Sequence, residues 1–253
     1  MNMTPSITVV LPAYNEVQVI GNVVQRTASA LRRHAASGSE IVVVDDGSTD
    51  GTAAAAGKAS LDGIPVRVIS HPVNRGYGAA LRTGFAAANA EAIWIMDSDG
   101  QFDPEDLKLL LPLYSRDTVV AGYRISRQDP LMRRLSNRAF FSIVRAVFGR
   151  TVRDVNCAFK LLPRAAAAGL RSEGAMISTE LMERARRRGY KIAEVGVPHH
   201  PRTTGRATGA NRHVVARAFW ELWRMWRDRA SWADTSEGSS QSTKSERADP
   251  DDR

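Results

Sequence analysis

Residues 92–101 read AIWIMDSDGQ, a run of five apolar residues that leads directly into a loop with two aspartates. Continuous apolar runs of this length are typical of strands buried on both faces of a parallel sheet. Repeated strand–helix–strand units predict an α/β fold with a doubly wound, mostly parallel sheet. Four more such runs occur in the first half of the chain, with helix-forming segments between them: residues 7–11, 41–44, 66–69 and 118–121.

Two of the segments between these strands carry clear helical patterns. Residues 16–34 place apolar side chains on one face, as in a helix that packs on a sheet. In residues 76–89, small residues recur every fourth position at Gly76, Ala80 and Gly84. This stripe predicts a helix whose backbone lies close to the sheet.

The composition excludes several classes of protein. Of the 253 residues, 43% are hydrophobic, which is enough for a folded core. The single cysteine, Cys157, excludes a disulfide scaffold and a cysteine-based zinc site. It also suits a reducing compartment.

Charge is distributed unevenly along the chain. The net charge is +8, but residues 231–253 hold 3 basic and 6 acidic residues, so residues 1–230 carry +11. The acidic segment has almost no apolar residues, which predicts one folded domain over 1–230 and a disordered tail over 231–253. The basic excess of the domain favours phosphate-bearing partners: nucleotides, nucleic acids or anionic lipids.

Polar clusters follow the predicted strands at the point where each strand ends. In open α/β sheets, ligands bind outside the carboxyl ends of the strands, so these clusters predict the site. They comprise residues 12–16, 45–50, 97–101 and 122–124.

Asp97 and Asp99 form the sharpest signal in these clusters. Two carboxylates separated by one residue can converge on a hard cation such as Mg²⁺ or Mn²⁺, and Gln101 could add a carbonyl oxygen. The alternative for this pair alone is a solvated turn. In the second cluster, Asp45 is a candidate acceptor for the N–H groups of a base, whereas the residues after it could simply cap the next helix.

Taken together, four motifs resemble those of family 2 glycosyltransferases with the GT-A fold: PAYNE at 12–16, DDGSTD at 45–50, NRG at 74–76 and DSDGQ at 97–101. The subgroup that the chain resembles is the dolichol-phosphate mannosyltransferase-like, or polyprenyl-phosphate, glycosyltransferases. Three further segments support this subgroup: GYR at 122–124, DVNCAFK at 154–160 and RTTG at 202–205.

The resemblance implies that the domain consists of two halves with different binding functions. Residues 7–125 would form a Rossmann-like half that binds the nucleotide sugar, and residues 126–230 a half for the acceptor and the membrane interface. The metal ligands would be Asp97, Asp99 and Gln101. The substrate-binding residues would be Pro12, Tyr14, Glu16, Asp45, Asp97, Ser98, Arg124, Lys160 and Arg202. The catalytic residues would be Asp99, Asp154 and Arg124.

The implied reaction is an inverting transfer of a hexose, from GDP-mannose or UDP-glucose, to a polyprenyl or dolichyl phosphate. A phosphate monoester has a second pKa of about 6, so it is mostly dianionic at neutral pH and needs no base. A hydroxyl acceptor, on a glycan or a small metabolite, would need one. Asp154 is the candidate base, although a purely structural role for this aspartate at a turn fits the sequence equally well.

Two amphipathic segments, residues 131–149 and 213–229, combine apolar and aromatic side chains with arginines. Such helices are typical of a membrane interface, and core packing or a dimer contact is the alternative. We therefore expect a cytoplasmic protein, peripheral to the inner face of the membrane, with a membrane-anchored partner or a second copy as further candidates. A non-catalytic basic module that binds membrane or nucleic acid is the non-enzyme alternative. Acidic strand ends argue against nucleic acid.

Overall fold

The computed structural model describes residues 4–59, 63–125, 145, 149, 152–202, 212–228 and 232, with side chains from Trp220 onward in the last helix. Seven strands form one sheet: β1 (Ile7–Ala13), β2 (Glu40–Asp45), β3 (Val66–Ser70), β4 (Ala92–Met96), β5 (Thr118–Arg124), β6 (Phe159–Pro163) and β7 (Lys191–Val197). Six α-helices have both ends within these residues: α1 (Ile20–His34), α2 (Thr52–Lys58), α3 (Tyr77–Ala87), α4 (Leu107–Leu110), α5 (Ile177–Arg187) and α6 (Arg212–Asp228). Short 3₁₀ turns cover Pro104–Asp106, Leu111–Leu113 and Arg164–Ala167.

The strand order is β3-β2-β1-β4-β6-β5-β7, and only β6 runs antiparallel to its neighbours. All five predicted strands are present, which confirms the mostly parallel α/β sheet. Strands β6 and β7 were not predicted. Since Met96 pairs with Phe159, the segment before β6 lies at the carboxyl edge of β4, and the chain must then run backwards across the sheet.

Helices cover both faces of this sheet, as predicted for a doubly wound fold. Helices α1, α2 and α4 pack on one face and contribute to its core Ile20, Val24, Leu31, Ala56, Leu107 and Leu110. Helices α3 and α5 pack on the other face with Leu81, Phe85, Ile177, Leu181 and Ala185. A Cβ at Gly84 would overlap the side chain of Val10, which confirms the close approach predicted for the small-residue stripe.

The first helix begins later than its apolar pattern indicates. The main chain at Glu16 turns, with its carbonyl accepting from Val19 and Ile20, and its own N–H donates to Thr52 Oγ1 at 2.8 Å. Tertiary hydrogen bonds thus hold residues 16–19 outside the helix. Polar residues of the first cluster are thereby presented on a loop.

The C-terminal part of the chain departs from the prediction at one residue. Trp232 lies in the segment expected to be a disordered tail, yet its side chain is only 2% exposed and stacks on the guanidinium of Arg184 at 4.6 Å. The packed part of the chain therefore reaches Trp232, because a large aromatic ring finds a cationic partner on α5. The predicted helix over 131–149 lies outside the described residues except for Arg145 and Gly149.

Candidate active site

Three predicted clusters meet at one edge of the sheet because β2, β1 and β4 are neighbours with the same direction. Ala13 pairs directly with Asp45, so the first and second clusters are in contact. The third cluster follows β4 on the other side of β1. The carboxyl edge of the sheet is thus the place where the predicted binding residues converge.

The loops after β1 and β2 are bound tightly to each other. Asn15, in the left-handed region at φ 55°, accepts from the Thr49 N–H at 2.9 Å, and its own N–H donates to Ser48 Oγ. Asp45 is 5% exposed and accepts from the Ser48 N–H at 3.1 Å, whereas Tyr14 presents an exposed ring. These loops form a rigid rim on which a base or ribose could rest.

Glu16 and Arg202 close one side of this rim. Their side chains form a partly buried, hydrogen-bonded ion pair although 186 positions separate them. Arg202 Nη1 also lies 4.0 Å from Asp99 Oδ2. Burial raises the pKa of Glu16, and the Arg202 guanidinium opposes that rise. Arg202 therefore stands between Glu16, on the loop after β1, and Asp99 of the acidic pair.

Asp99 lies close enough to Asp97 for its charge to affect the ionisation of Asp97. Burial is the main cause that raises the pKa of Asp97 to about 7, and the charge of Asp99 adds to it. Nearby positive charges on Lys160 and Arg124 oppose the rise, as does a hydrogen bond from the Tyr77 phenol. A cation at this position would remove the repulsion between the two carboxylates.

Gln101 joins the acidic loop to the segment after β7. Its main-chain N–H donates to Asp99 Oδ1 at 3.1 Å, and its side-chain amide donates to the His200 carbonyl at 2.8 Å. The His200 N–H in turn donates to the Gln101 carbonyl at 2.9 Å. This reciprocal pair holds Gln101 against the segment that carries Arg202.

Arg124 and Asp154 form a bidentate ion pair at the end of β5. Arg124 Nε lies 2.7 Å from Oδ2, and Nη2 lies 2.9 Å from Oδ1. The side chains are 16% and 8% exposed. Because both carboxylate oxygens accept from the guanidinium, this geometry favours the structural alternative for Asp154 over the general base.

Two residues predicted to bind substrate have buried side chains that donate to main-chain carbonyls. Lys160 is 1% exposed, and its ammonium donates to the carbonyls of Val155 and Cys157. Ser98 is 3% exposed, and its hydroxyl donates to the Pro12 carbonyl at 2.7 Å. These bonds hold the segment before β6 and the end of β1, and a substrate contact of either side chain stays a prediction. Pro12 itself is buried in β1 beside Val44.

Sequence reasoning missed two supporting residues, Asp46 and Tyr77. Asp46 accepts from the N–H groups of Arg75 and Gly76 and from His71 Nδ1 at 2.7 Å, so it orients the loop that begins α3. Tyr77, the first residue of α3, has a phenol whose pKa is raised by burial and by the charge of Asp97. The adjacent aspartates at 45–46 were a usable signal for the first, since their side chains must point to opposite faces of the strand end.

The carboxylates of Asp97 and Asp99 suit a hard cation such as Mg²⁺ or Mn²⁺. Among the residues that the structure describes, no group of three or more His, Cys, Asp or Glu side chains converges as a metal site. Mg²⁺ is commonly held by one or two carboxylates together with substrate phosphates and water. The pair fits that mode of binding.

The chain is similar to curated enzymes named for sugar transfer to polyprenyl phosphates. The undecaprenyl-phosphate 4-deoxy-4-formamido-L-arabinose transferase of Pectobacterium atrosepticum is 32% identical over 162 residues, 63% of this chain and 49% of that enzyme. The dodecaprenyl-phosphate galacturonate synthase of Rhizobium johnstonii is 27% identical over 224 residues, 84% of this chain and 63% of that enzyme. The chain spans about half the length of the arabinose transferases that it matches.

Solved structures share the fold. The mannosyl-3-phosphoglycerate synthase of Rubrobacter xylanophilus has a TM-score of 0.69 at 15% identity, covering 93% of this chain and 78% of that one. The glucosyl-3-phosphoglycerate synthase of Mycobacterium tuberculosis, in complex with Mn²⁺, UDP-glucose and phosphoglyceric acid, has a TM-score of 0.63 at 24% identity, covering 90% and 78%. These similarities confirm the predicted GT-A fold.

The family profile described as "Glycosyl transferase family 2" matches residues 8–170. This range contains the four strand-end clusters, whereas Arg202 lies beyond it. The sequence motifs, the sheet and this match agree, and the chain belongs to glycosyl transferase family 2.

Proposed function

We propose that the chain transfers a sugar from a nucleotide diphosphate sugar to a polyprenyl phosphate, with Mg²⁺ or Mn²⁺ held by Asp97 and Asp99. The observation that carries the proposal is the acidic pair at the end of β4, flanked by the guanidinium groups of Arg202 and Arg124. Negative charge and fixed positive charge together suit a cation and a diphosphate. The names of the curated relatives support a lipid phosphate as acceptor.

In this proposal the chain's residues act mainly by charge and position. A bound cation would stabilise the negative charge that develops on the leaving diphosphate. Arg202 would break its contacts with Glu16 and Asp99 and donate to phosphate oxygens instead. A planar guanidinium suits this role because it offers two parallel N–H donors. Arg124, oriented by Asp154, would hold the acceptor phosphate beside the sugar. No base is required, because the phosphate is already dianionic.

We propose a hexose from GDP-mannose or UDP-glucose, as the motifs imply. The relatives are named for a modified arabinose and for galacturonate, so a test must include pentose and uronic acid donors as well.

A transfer assay tests the reaction directly. Purified protein, Mn²⁺ or Mg²⁺, a short polyprenyl phosphate and a panel of labelled UDP- and GDP-sugars are mixed, and label is followed into the organic phase. Metal-dependent label from one donor, absent with Asp99→Ala, supports the proposal and names the sugar. Metal-dependent donor hydrolysis without lipid label would overturn the acceptor and indicate a hydroxyl acceptor instead.

Affinity for the cation is expected to fall at acid pH. Asp97 has a raised pKa of about 7, so it holds a proton below that pH and must release it to bind a cation. Mn²⁺ should therefore bind about tenfold more weakly at pH 6 than at pH 8. Titration of free Mn²⁺ by electron paramagnetic resonance measures this, with Asp97→Asn as the control. Equal affinity at both pH values would contradict the assignment.

Helix α6 presents a tryptophan face that fits a membrane interface. Trp220, Trp223 and Trp226 are 56%, 54% and 46% exposed. Arg224 lies over the Trp220 ring at 5.6 Å, and Arg227 over the Trp223 ring at 5.1 Å. Within the described ranges, no helix is both long enough and apolar enough to cross a bilayer. We propose that this face rests on an anionic bilayer at the cytoplasmic side of the membrane.

Replacing two of these tryptophans is expected to release the protein from lipid. The variant Trp220→Ala/Trp223→Ala should bind phosphatidylglycerol vesicles at least about tenfold more weakly, because the aromatic surface buried in the interface is lost. Sedimentation with vesicles measures the bound fraction. Val73→Ser is the control, since Val73 is an apolar residue outside α6 that is 64% exposed. Unchanged binding of the double variant would show that another surface meets the membrane.

A further inference from the structure

The inner face of α6 carries a buried carboxylate that neither the motifs nor the proposed reaction uses. Glu221 is 5% exposed, and its Oε1 accepts from the main-chain N–H groups of Glu173 at 3.1 Å and Gly174 at 2.8 Å. A Cβ at Gly174 would lie 3.0 Å from Glu221 Oε2, so the loop approaches the carboxylate as closely as its backbone allows. This carboxylate therefore holds the loop 171–174 to α6.

The same loop lies directly against the start of α3. The Glu173 carbonyl accepts from the Ala79 N–H at 3.0 Å. A Cβ at Gly78 would be 2.6 Å from the Glu173 carbonyl carbon and 2.7 Å from the Gly174 oxygen. With glycine at position 78, the two backbones pack with no side chain between them, so a shift of the loop must move the first turn of α3.

The N-terminal end of α3 lies beside Asp97, one of the two acidic residues after β4. Its first residue, Tyr77, packs against the core cluster that includes Met96, the residue before Asp97, and burial together with the charge of Asp97 raises the pKa of its phenol. A continuous series of contacts thus runs from α6 through the loop and α3 to the candidate metal ligand.

We infer that Glu221 is a positioning residue that, through the loop 171–174 and the first turn of α3, sets Tyr77 against Asp97. The inference rests on the proposed function only in assigning cation binding to Asp97. Helix α6 would then have two roles. Its exposed face carries the tryptophans, and its opposite face carries Glu221, which binds the loop 171–174.

The geometry supports a specific role for this carboxylate over general packing. Glu180 already holds the other half of the loop, accepting from the N–H groups of Arg171 and Ser172. Removing Glu221 should therefore free residues 173–174 while the loop stays attached to α5. The consequence should appear in α3 and not throughout the fold.

Two measurements on Glu221→Ala test the inference. Backbone hydrogen exchange should rise in residues 77–81, and Mn²⁺ affinity, measured without nucleotide, should fall about fivefold or more, the lower range for linked sites. Glu221→Gln, which keeps an acceptor oxygen, should restore most of that affinity. Glu183→Ala is the matched control, because Glu183 is a carboxylate of similar burial that binds only to Arg186 and Arg187 among the contacts established for it.

The outcomes separate this inference from the proposed function. Exchange and Mn²⁺ affinity that change in Glu221→Ala but not in Glu183→Ala support it. A folded Glu221→Ala protein with unchanged Mn²⁺ affinity overturns it. If Glu221→Ala does not fold, Gly174→Ala, which presses a methyl group on the same carboxylate, carries the test. Mn²⁺ affinity that is unchanged in Asp97→Ala refutes the cation site itself, and the exchange of residues 77–81 then still decides whether Glu221 braces α3.

Discussion

Replacing Asp99 with alanine is expected to lower the rate of sugar transfer about a thousandfold, the upper range for loss of one group that stabilises charge in a transition state. Asp99 is one of only two carboxylates that the described part of the chain offers to a cation at the end of β4. Its loss leaves Asp97 as the single ligand from the protein. The leaving diphosphate would then lack a positioned cation.

The change should affect the cation more than the fold. Removing the Asp99 charge lifts one cause of the raised pKa of Asp97, so Asp97 should ionise more readily while the cation binds more weakly. Rates of transfer, Mn²⁺ affinity and urea unfolding are the three measurements. Asp117→Ala serves as control, since Asp117 is an exposed aspartate paired with Lys191 at the start of β5 and β7. Near-normal transfer by the Asp99→Ala protein would exclude the proposed metal site.

Replacing Asp154 with alanine is expected to destabilise the protein by about 3 kcal/mol, as for other buried pairs that lose one partner. Arg124 is mostly buried and donates to both oxygens of this carboxylate. Its guanidinium would be left without its bidentate acceptor. Urea unfolding measures the loss.

An exposed pair provides the comparison. Glu91 and Arg116 form an ion pair at 2.8 Å with side chains 52% and 86% exposed, so Glu91→Ala should cost less than about 1 kcal/mol. A similar, small loss for both variants would show that Arg124 and Asp154 do not act as a buried pair.

A variant at Asp154 also distinguishes a phosphate acceptor from a hydroxyl acceptor. If the acceptor is a phosphate, the folded Asp154→Asn protein should lose less transfer than Asp99→Ala, because Asp154 acts only by orienting Arg124. If the acceptor is a hydroxyl and Asp154 is its base, transfer should be abolished while donor binding persists. Comparing kcat with donor affinity in this one variant distinguishes them.

Local patterns in the sequence were sufficient for much of the fold and part of the site. The apolar runs predicted five strands, the spacing of Gly76, Ala80 and Gly84 predicted the close helix, and the polar clusters predicted the edge that holds them. These inferences succeeded because side-chain burial and strand direction follow from the residues within each segment. Parallel strands then bring their carboxyl ends together without further information.

What only the tertiary structure decided depends on residues far apart in the chain. Glu16 meets Arg202 across 186 positions, and Arg124 meets Asp154 across 30. The reversed strand β6 turns Lys160 inward, where its motif suggested a substrate contact, and Glu221 reaches the loop before α5. Periodicity reports which face of a segment is buried but not which partner buries it. Sequence alone therefore determined that the chain has a GT-A sheet with an acidic edge, whereas long-range packing decided which charged side chains pair with one another at that edge.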